Sequence, residues 1–351
     1  MPSGYSRQPR AYLLIGGVKC VPIDVSVSMS SNRNADTFGA SLPLSGALDE
    51  RYFADTSPIP IEIMATNDQQ TGRWSKIFSG LCDVPAMNFA TRRVMLTGRD
   101  LTSRLIETKT TEKWLNKTSA EIVKEIAGRV GLTADVSVPN SDKAGLIYKD
   151  DYNKISNQDV LWNVLTALAD REGCAVFVKV DRLVFKPFDE LDGGDFEVLY
   201  ERPTPGSYAD GSFINLSVRR NLAVAKNVRV SVKTWQQKQK KVLSSAFRSK
   251  GASTDQTDYT YRIPNSTKEN ADKFAKNKLA EITAQERLVE VDMPGDVTCT
   301  PENKLVLSGT NTGYDQSYII SGVSHSMSQS GYRMTIHGRA PDDKNTIEQE
   351  S

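Results

Sequence analysis

The 351-residue sequence contains two histidines, four cysteines and almost no net charge, and each scarcity removes a class of chemistry. His325 and His337 lie in C-terminal segments that read as neighbouring strands, with no acidic or cysteine side chain in register. They support neither a metal site nor histidine-based catalysis. Cys20, Cys82, Cys174 and Cys299 are far apart and form no Cys-x-x-Cys pair, which argues against a zinc knuckle or a disulfide framework and for a reducing compartment during synthesis. With 44 Lys and Arg against 43 Asp and Glu, bulk charge points neither to nucleic acid nor to an anionic membrane. No apolar run reaches the roughly 18 residues of a membrane helix. The opening MPSGYSRQPR is polar and the following AYLLIGG is too short for a secretory signal, so no membrane anchor is expected.

Reaction motifs are missing as well. There is no Walker loop, no Gly-x-Gly-x-x-Gly after a strand and no Gly-x-Ser-x-Gly elbow. The segment DELDGGDFE (189–197) gathers Asp189, Asp192, Asp195 and Glu197 around two glycines but lacks the spacing of a calcium loop, and it reads as a solvated acidic turn. Asp150 and Asp151 are adjacent, and nothing places them opposite a partner carboxyl across a sugar. The expectation is a chain that is not an enzyme, with no catalytic residue, no cofactor and no metal.

What is present is pattern. Up to about Gly98, short alternating segments separated by Gly, Pro, Asn and Asp read as a small β-barrel or sandwich. VPIDVSVSMS sets Val21, Ile23, Val25 and Val27 against Pro22, Asp24, Ser26 and Ser28, the period of a strand with one face packed and one wet. From about residue 100 the period changes. Thr118 and Glu121 form a capping-box pair ahead of the stripe Ile122, Ile126 and Val130, with Gly131 as the stop. SNQDVLWNVLTALADREGCAVFV (156–178) repeats the unit: Ser156 and Asp159 stand where Thr118 and Glu121 did, Leu161, Val164, Leu165 and Leu168 supply the stripe, and Gly173 ends a helix about one turn longer.

Beyond about 210 the β signals return, interrupted by a helix over about 266–288 with Ser266 as N-cap, Glu269 completing the box, and Ala271, Phe274, Ala275, Leu279 and Ile282 inward. The fold class expected is α+β: two small antiparallel β-barrels with an α/β insert of helix–strand units. The domains are a first barrel over 1–98, an α/β domain over 99–190, a second barrel over 191–340 and a mobile tail over 341–351. One basic concentration stands out, KTWQQKQKKVLSSAFRSK (233–250), with Trp235 and Phe247 among its lysines. Three readings apply to it: a nucleic-acid groove, a solvated hairpin, or a surface docked on an acidic neighbouring subunit. The last two are favoured, and Lys238, Lys240, Lys241, Arg248 and Lys250 are the candidate partner-binding residues.

The organisation resembles the baseplate hub proteins of contractile-tailed phages, the Mu-like hub and the late-control protein D family, which are related to the base of the type VI secretion spike. The likeness is carried by a Gly98-Arg99-Asp100 turn after the first β region and a capped helix ending in Ala127, Gly131 and Leu132. A helix bearing Trp162, Leu165, Leu168, Ala169, Arg171 and Gly173 follows, and IISGVSHSMSQSGYRMTIHGRAP closes the pattern. The resemblance implies a virion structural protein made in the host cytoplasm: a homotrimeric ring with a central channel for DNA. It would join the sixfold tail tube or tube-initiator proteins to a threefold central spike, with other baseplate subunits and the tape measure protein as further partners and no sequence-specific nucleic acid. The base of a secretion-system or pyocin-type spike is the alternative, a tail-tip peptidoglycan hydrolase a more distant one. A carbohydrate-binding module would need clustered aromatics, and Trp74, Trp114, Trp162 and Trp235 are scattered.

Overall fold

The computed structural model describes residues 8–111, 114, 117–138, 159–191, 193–203, 210–224, 227–236, 241–249, 256–263, 268–341 and 347–350. The first β region contains β1 (Arg10–Ile15), β2 (Val18–Cys20), β3 (Asp24–Ser30), β4 (Thr37–Pro43), the short helix α1 (Glu50–Asp55), β5 (Pro60–Thr66), β6 (Ser75–Asn88) and β7 (Arg93–Asp100). Alternation becomes structure directly in β3. Val25, Val27 and Met29 are buried while Ser26 and Ser28 face outward. Val21, expected on the packed face, precedes the strand and is exposed.

The middle region follows with α2 (Thr102–Glu107), β8 (Lys109–Thr110), α3 (Ser119–Arg129), β9 (Thr133–Val136), β10 (Asp159–Val160), α4 (Leu161–Glu172), β11 (Cys174–Lys179) and β12 (Arg182–Pro187). The capping box of α3 is complete. Thr118 Oγ1 accepts from the Glu121 amide at 3.2 Å, and Glu121 accepts from the Thr118 amide at 2.7 Å. At the other end Gly131 adopts φ +74°, and the Leu132 amide reaches back to the Ala127 carbonyl at 2.9 Å. This is a Schellman closure, which only a residue tolerant of left-handed backbone permits. The second unit starts differently from its expectation. Ser156 lies outside the described residues, Asp159 belongs to β10, and α4 begins at Leu161 with no side-chain cap. Its first amide bonds the Thr108 carbonyl at 2.9 Å, so a neighbouring backbone does what a cap side chain would have done. The two helices have 11 and 12 residues, a smaller difference than the expected turn.

The last region holds β13 (Asp195–Glu201), β14 (Asp210–Gly211), β15 (Asn215–Arg220), β16 (Asn227–Gln236), β17 (Lys241–Ser249), β18 (Gln256–Arg262), α5 (Lys268–Thr283), β19 (Arg287–Pro294), β20 (Lys304–Ser308), β21 (Ser317–Ser328), β22 (Gly331–Arg339) and β23 (Ile347–Glu350). The chain is α+β, mostly sheet. The described strands close no barrel: β21 pairs with β3, and a 14-stranded sheet runs β14-β13-β20-β21-β3-β4-β7-β6-β5-β1-β2, with β22, β19 and β15 branching from β21. One hydrophobic core accordingly extends from Leu13 to Ile336, through residues of both β regions. The physical reason is that β3 carries hydrogen-bonding edges on both sides and both are used, by β4 and by β21.

Smaller cores sit beside this one. Helices α3 and α4 cover the sheet β11-β12-β9, burying Leu161, Val164, Leu165 and Leu168 with Val176 and Val178. Helix α5 covers one face of a separate sheet, β18-β16-β17-β23, burying Ala271, Ala275 and Leu279 against Val228, Val230, Val232 and Phe247. Phe274 and Ile282, expected inward, are half-buried against the same core, and Ser266 lies outside the described residues. At the C-terminal end, Ile347–Glu350 form β23, which pairs antiparallel with β17. Leu165 is fully buried at the centre of the middle core, and Leu165→Ala leaves a cavity expected to cost about 2 to 5 kcal/mol in urea unfolding. A loss below about half a kilocalorie would show that this stripe is not core.

Candidate functional site

The basic segment forms a β-hairpin. Strands β16 and β17 pair from Arg229↔Arg248 to Gln236↔Lys241, and β18 lies parallel to β16 on the other side. Alternation sorts the side chains. Val228, Val230, Val232, Thr234 and Phe247 turn toward α5 and are buried, whereas Arg229, Lys233, Trp235, Val242 and Arg248 occupy the opposite face. Of the candidate residues, Arg248 is exposed on β17 with Glu348 of β23 in register, and Lys241 opens β17; Lys238, Lys240 and Lys250 lie outside the described residues. Of the two aromatics among the lysines, Phe247 is core and Trp235 remains outside.

A second concentration of polar groups lies where the regions meet. Gly98, Arg99 and Asp100, expected as a turn, are instead the last residues of strand β7, and each has a separate task. A Cβ on Gly98 would stand 2.1 Å from the Leu81 carbonyl oxygen, so the strand needs glycine here for close approach of β6. Arg99 donates to Asp83 at 2.6 and 2.8 Å and to Glu107 at 2.8 Å, tying β6 to α2. Asp100 is buried. Its carboxylate accepts from the Thr102 amide at 3.2 Å and hydroxyl at 2.9 Å, and its own amide donates to the Asp36 carbonyl at 2.9 Å. Burial pushes the Asp100 carboxyl up to about 7 against the bonds from Thr102. Burial, with the charge of Asp100 adding to it, also holds Asp36 well above the usual carboxylate range, while the Ser30 amide donates to it at 2.8 Å.

Three further joints complete this junction. Arg33, in left-handed backbone, donates its amide to the Val176 carbonyl at 2.8 Å, and the Asn32 side chain accepts from the Val176 amide at 3.2 Å. A cavity of about 240 Å³ beside it is lined by Arg33, Asp170, Lys278 and Glu281, whose charges are spent on one another: Arg33 to Asp170 at 2.8 Å, Lys278 to Asp170 at 3.2 Å and to Glu281 at 2.8 Å. Buried Glu172 accepts from Ser119 at 2.7 Å and pairs with Lys273, linking α3, α4 and α5. Asn67, at the end of β5, clasps the loop after β19 through Asp296 at 2.8 Å and the Val297 amide at 2.9 Å.

The histidines are accounted for separately. His325 is buried, its Nδ1 sharing a hydrogen bond of 2.8 Å with the Tyr332 hydroxyl, and burial holds its ring down to about 4. His337 lies on β22, its Nδ1 3.6 Å from Glu290. Among the described residues no group of three or more His, Cys, Asp and Glu is placed to hold a metal ion. In the acidic segment Asp189, Asp195 and Glu197 are exposed, and Asp192 lies outside the described residues. Sequence reasoning missed Asp36, Glu172 and Asn67, none of which belongs to a local pattern.

No protein-family model and no curated protein matches the sequence. Among solved structures, a tail protein from Neisseria meningitidis superposes with a TM-score of 0.69 at 14% identity, covering 94% of this chain and 96% of that one. A 43 kDa tail protein of prophage MuSo2 from Shewanella oneidensis gives 0.63 at 14% identity, covering 96% and 98%. The chain has the fold of phage tail proteins. The same fold extends to an Escherichia coli component of the type VI secretion system, at a TM-score of 0.54 and 9% identity, covering 97% of this chain and 79% of that one.

The junction titrates, with opposed signs. Asp100 keeps its proton in the folded chain at pH values where the unfolded carboxyl, near 3.8, has lost it, so its contribution to stability falls as the pH rises toward 7. His325 must stay neutral when folded, whereas the unfolded ring takes a proton below 6.5, so its contribution falls as the pH drops from 6.5 to about 4, by about 3 kcal/mol. Asp100→Asn removes the first slope and leaves the second. Urea midpoints measured between about pH 4 and pH 7 should then rise with pH more steeply in the variant than in the wild type. Parallel curves would show that Asp100 is ionised in both states.

Proposed function

We propose that the chain is the structural hub of a contractile tail baseplate, a homotrimeric ring joining the sixfold tail tube to the threefold central spike around a channel for DNA. The observation that carries this reading is the likeness of fold over nearly the full length of both chains to two tail proteins, at 96 and 98% of their lengths. A threefold ring meets a sixfold neighbour when each protomer offers two similar surfaces. The two β regions on either side of the β3–β21 seam would supply them, as two barrel-like units of about 1–98 and 191–340 with the α/β unit of 99–190 bracing them. The role is non-enzymatic, and the place of action is the tail of the virion. The basic hairpin, with Lys238, Lys240, Lys241, Arg248 and Lys250, docks on an acidic surface of a neighbouring subunit. The spike, the tube or tube-initiator proteins, other baseplate subunits and the tape measure protein are the remaining partners.

A second reading, the base of a secretion-system or pyocin-type spike, is favoured by the type VI component, which this chain covers over 79% of its length. A structure of the assembled particle separates the two, since the hub reading expects three copies between tube and spike with the two β regions alternating around the axis. One copy per particle, or two β regions that do not superpose, would defeat the ring. Charge reversal at Lys240 and Lys241 is expected to reduce incorporation into particles and to do so more at low salt, because the docking is electrostatic. Unchanged incorporation would remove the hairpin from the interface.

A further inference from the structure

Two exposed faces of this chain are poorly suited to water and well suited to each other. On β13 the outward residues are Asp195, Glu197, Leu199 and Glu201. Leu199 is 47% exposed in the middle of three carboxylates, and none of the three makes an ion pair or hydrogen bond among the described residues, although Lys304 of β20 lies in register with Asp195. Glu201 stands directly opposite Asp210 of β14, a like-charge cross-strand pair that weakens the edge it sits on.

The tip of the four-stranded sheet carries the opposite pattern. Trp235 and Val242 are direct cross-strand partners, 49% and 56% exposed, on the face turned away from α5. Beside them Lys233 stands in register with Arg262 of the parallel strand β18, both exposed. This is again a like-charge neighbouring pair, here of cations, with no ion pair among the described residues. The nearest carboxylate given by this sheet's described side chains, Asp258, lies toward the other end, 3.9 Å from Arg229.

We infer that the basic, tryptophan-bearing tip of the β16–β17 hairpin docks on the acidic, leucine-bearing β13–β14 edge of a second copy of this chain. Each face holds an apolar side chain ringed by like charges of one sign, and bringing the two together covers Trp235, Val242 and Leu199 while setting Lys233 and Arg262 against Glu197 and Glu201. Such a contact relieves two repulsions with one docking and buries an aromatic anchor within a charged rim, the arrangement that carries binding energy at interfaces. Because the two patches differ and lie on separate sheets, the contact is heterologous. Repeated head to tail it generates a ring if the rotation closes. The inference rests on the trimeric reading above and names the surfaces that would build it.

The test is a set of charge exchanges in the full chain, read by sedimentation of the purified protein over a range of concentrations and salt. The variant Lys233→Glu/Arg262→Glu, and separately Glu197→Lys/Glu201→Lys, should each weaken self-association on the order of tenfold or more. Combining all four substitutions should restore it, and the wild-type association should weaken with added salt. Trp235→Ala, on a solvent-facing position that spares the core, should also dissociate the assembly, and circular dichroism confirms that each variant is folded. Folded double variants that keep the wild-type mass, or a fourfold variant that stays dissociated, overturn the contact. In the first case a wild-type trimer would leave the ring standing on other surfaces. A wild-type chain that is monomeric at every concentration overturns the contact as well, while the particle structure decides the hub reading independently.

Discussion

Everything else in the molecule depends on the pairing of β3 with β21. Six positions match, from Val25↔Met327 to Ser30↔Gly322, between strands close to opposite ends of the chain. Closing so long a loop is entropically unfavourable, although the cost grows only slowly with length. The match is made specific by side-chain alternation. Val25, Val27 and Met29 face the core with Met327, His325 and Val323, while Ser26 and Ser28 meet Ser326 and Ser324 outside, the hydroxyls of Ser28 and Ser324 3.3 Å apart. A slip of one residue would carry the serines into the core and the methionines into water. That penalty fixes the register and merges two β regions into one sheet.

This seam also explains why the sequence suggested two barrels. Each β region alternates cleanly and is bounded by turn residues, so each reads as a unit that could close on itself. Alternation reports which face of a strand is buried and carries no record of which edge is paired. The outer neighbour of β3 comes from some three hundred residues away, and no local pattern encodes it. The same limit hid β23. Ile347–Glu350 is a short charged segment with nothing to recommend it as a strand, and it is one because β17 has an open edge beside it.

Local chemistry was legible wherever the partner was local. Thr118 and Glu121 satisfy each other three residues apart, and Gly131 and Gly173 take the left-handed conformations their positions promised. The analogous cap at Ser156 and Asp159 failed as a guide to the start of α4 because the Thr108 carbonyl, fifty residues earlier, already held the amide of Leu161. In the basic hairpin, alternation of Val228, Val230 and Val232 was visible, while the helix that this face packs against lies some forty residues further on. The small residues Ala271 and Ala275 on α5 let helix and sheet approach, and this contact turned the hairpin from a solvated loop into half of a packed unit.

The buried and half-buried polar groups show where this design spends its specificity. Glu172, Asp100 and Arg33 each join elements from different regions of the chain: Glu172 three helices, Asp100 the start of α2 and the β3–β4 loop, Arg33 that same loop and β11. Asn67 does the same for β5 and the loop after β19. Apolar contacts alone would tolerate small slides of one unit over another, since burial is not directional. A hydrogen bond or ion pair out of water is directional, and leaving one partner unsatisfied costs about 1 to 3 kcal/mol. Placing such pairs at every seam converts several stacked units into one body with a single preferred arrangement. For the proposed hub, which would join neighbours of different symmetry, holding that arrangement is the property the fold would supply.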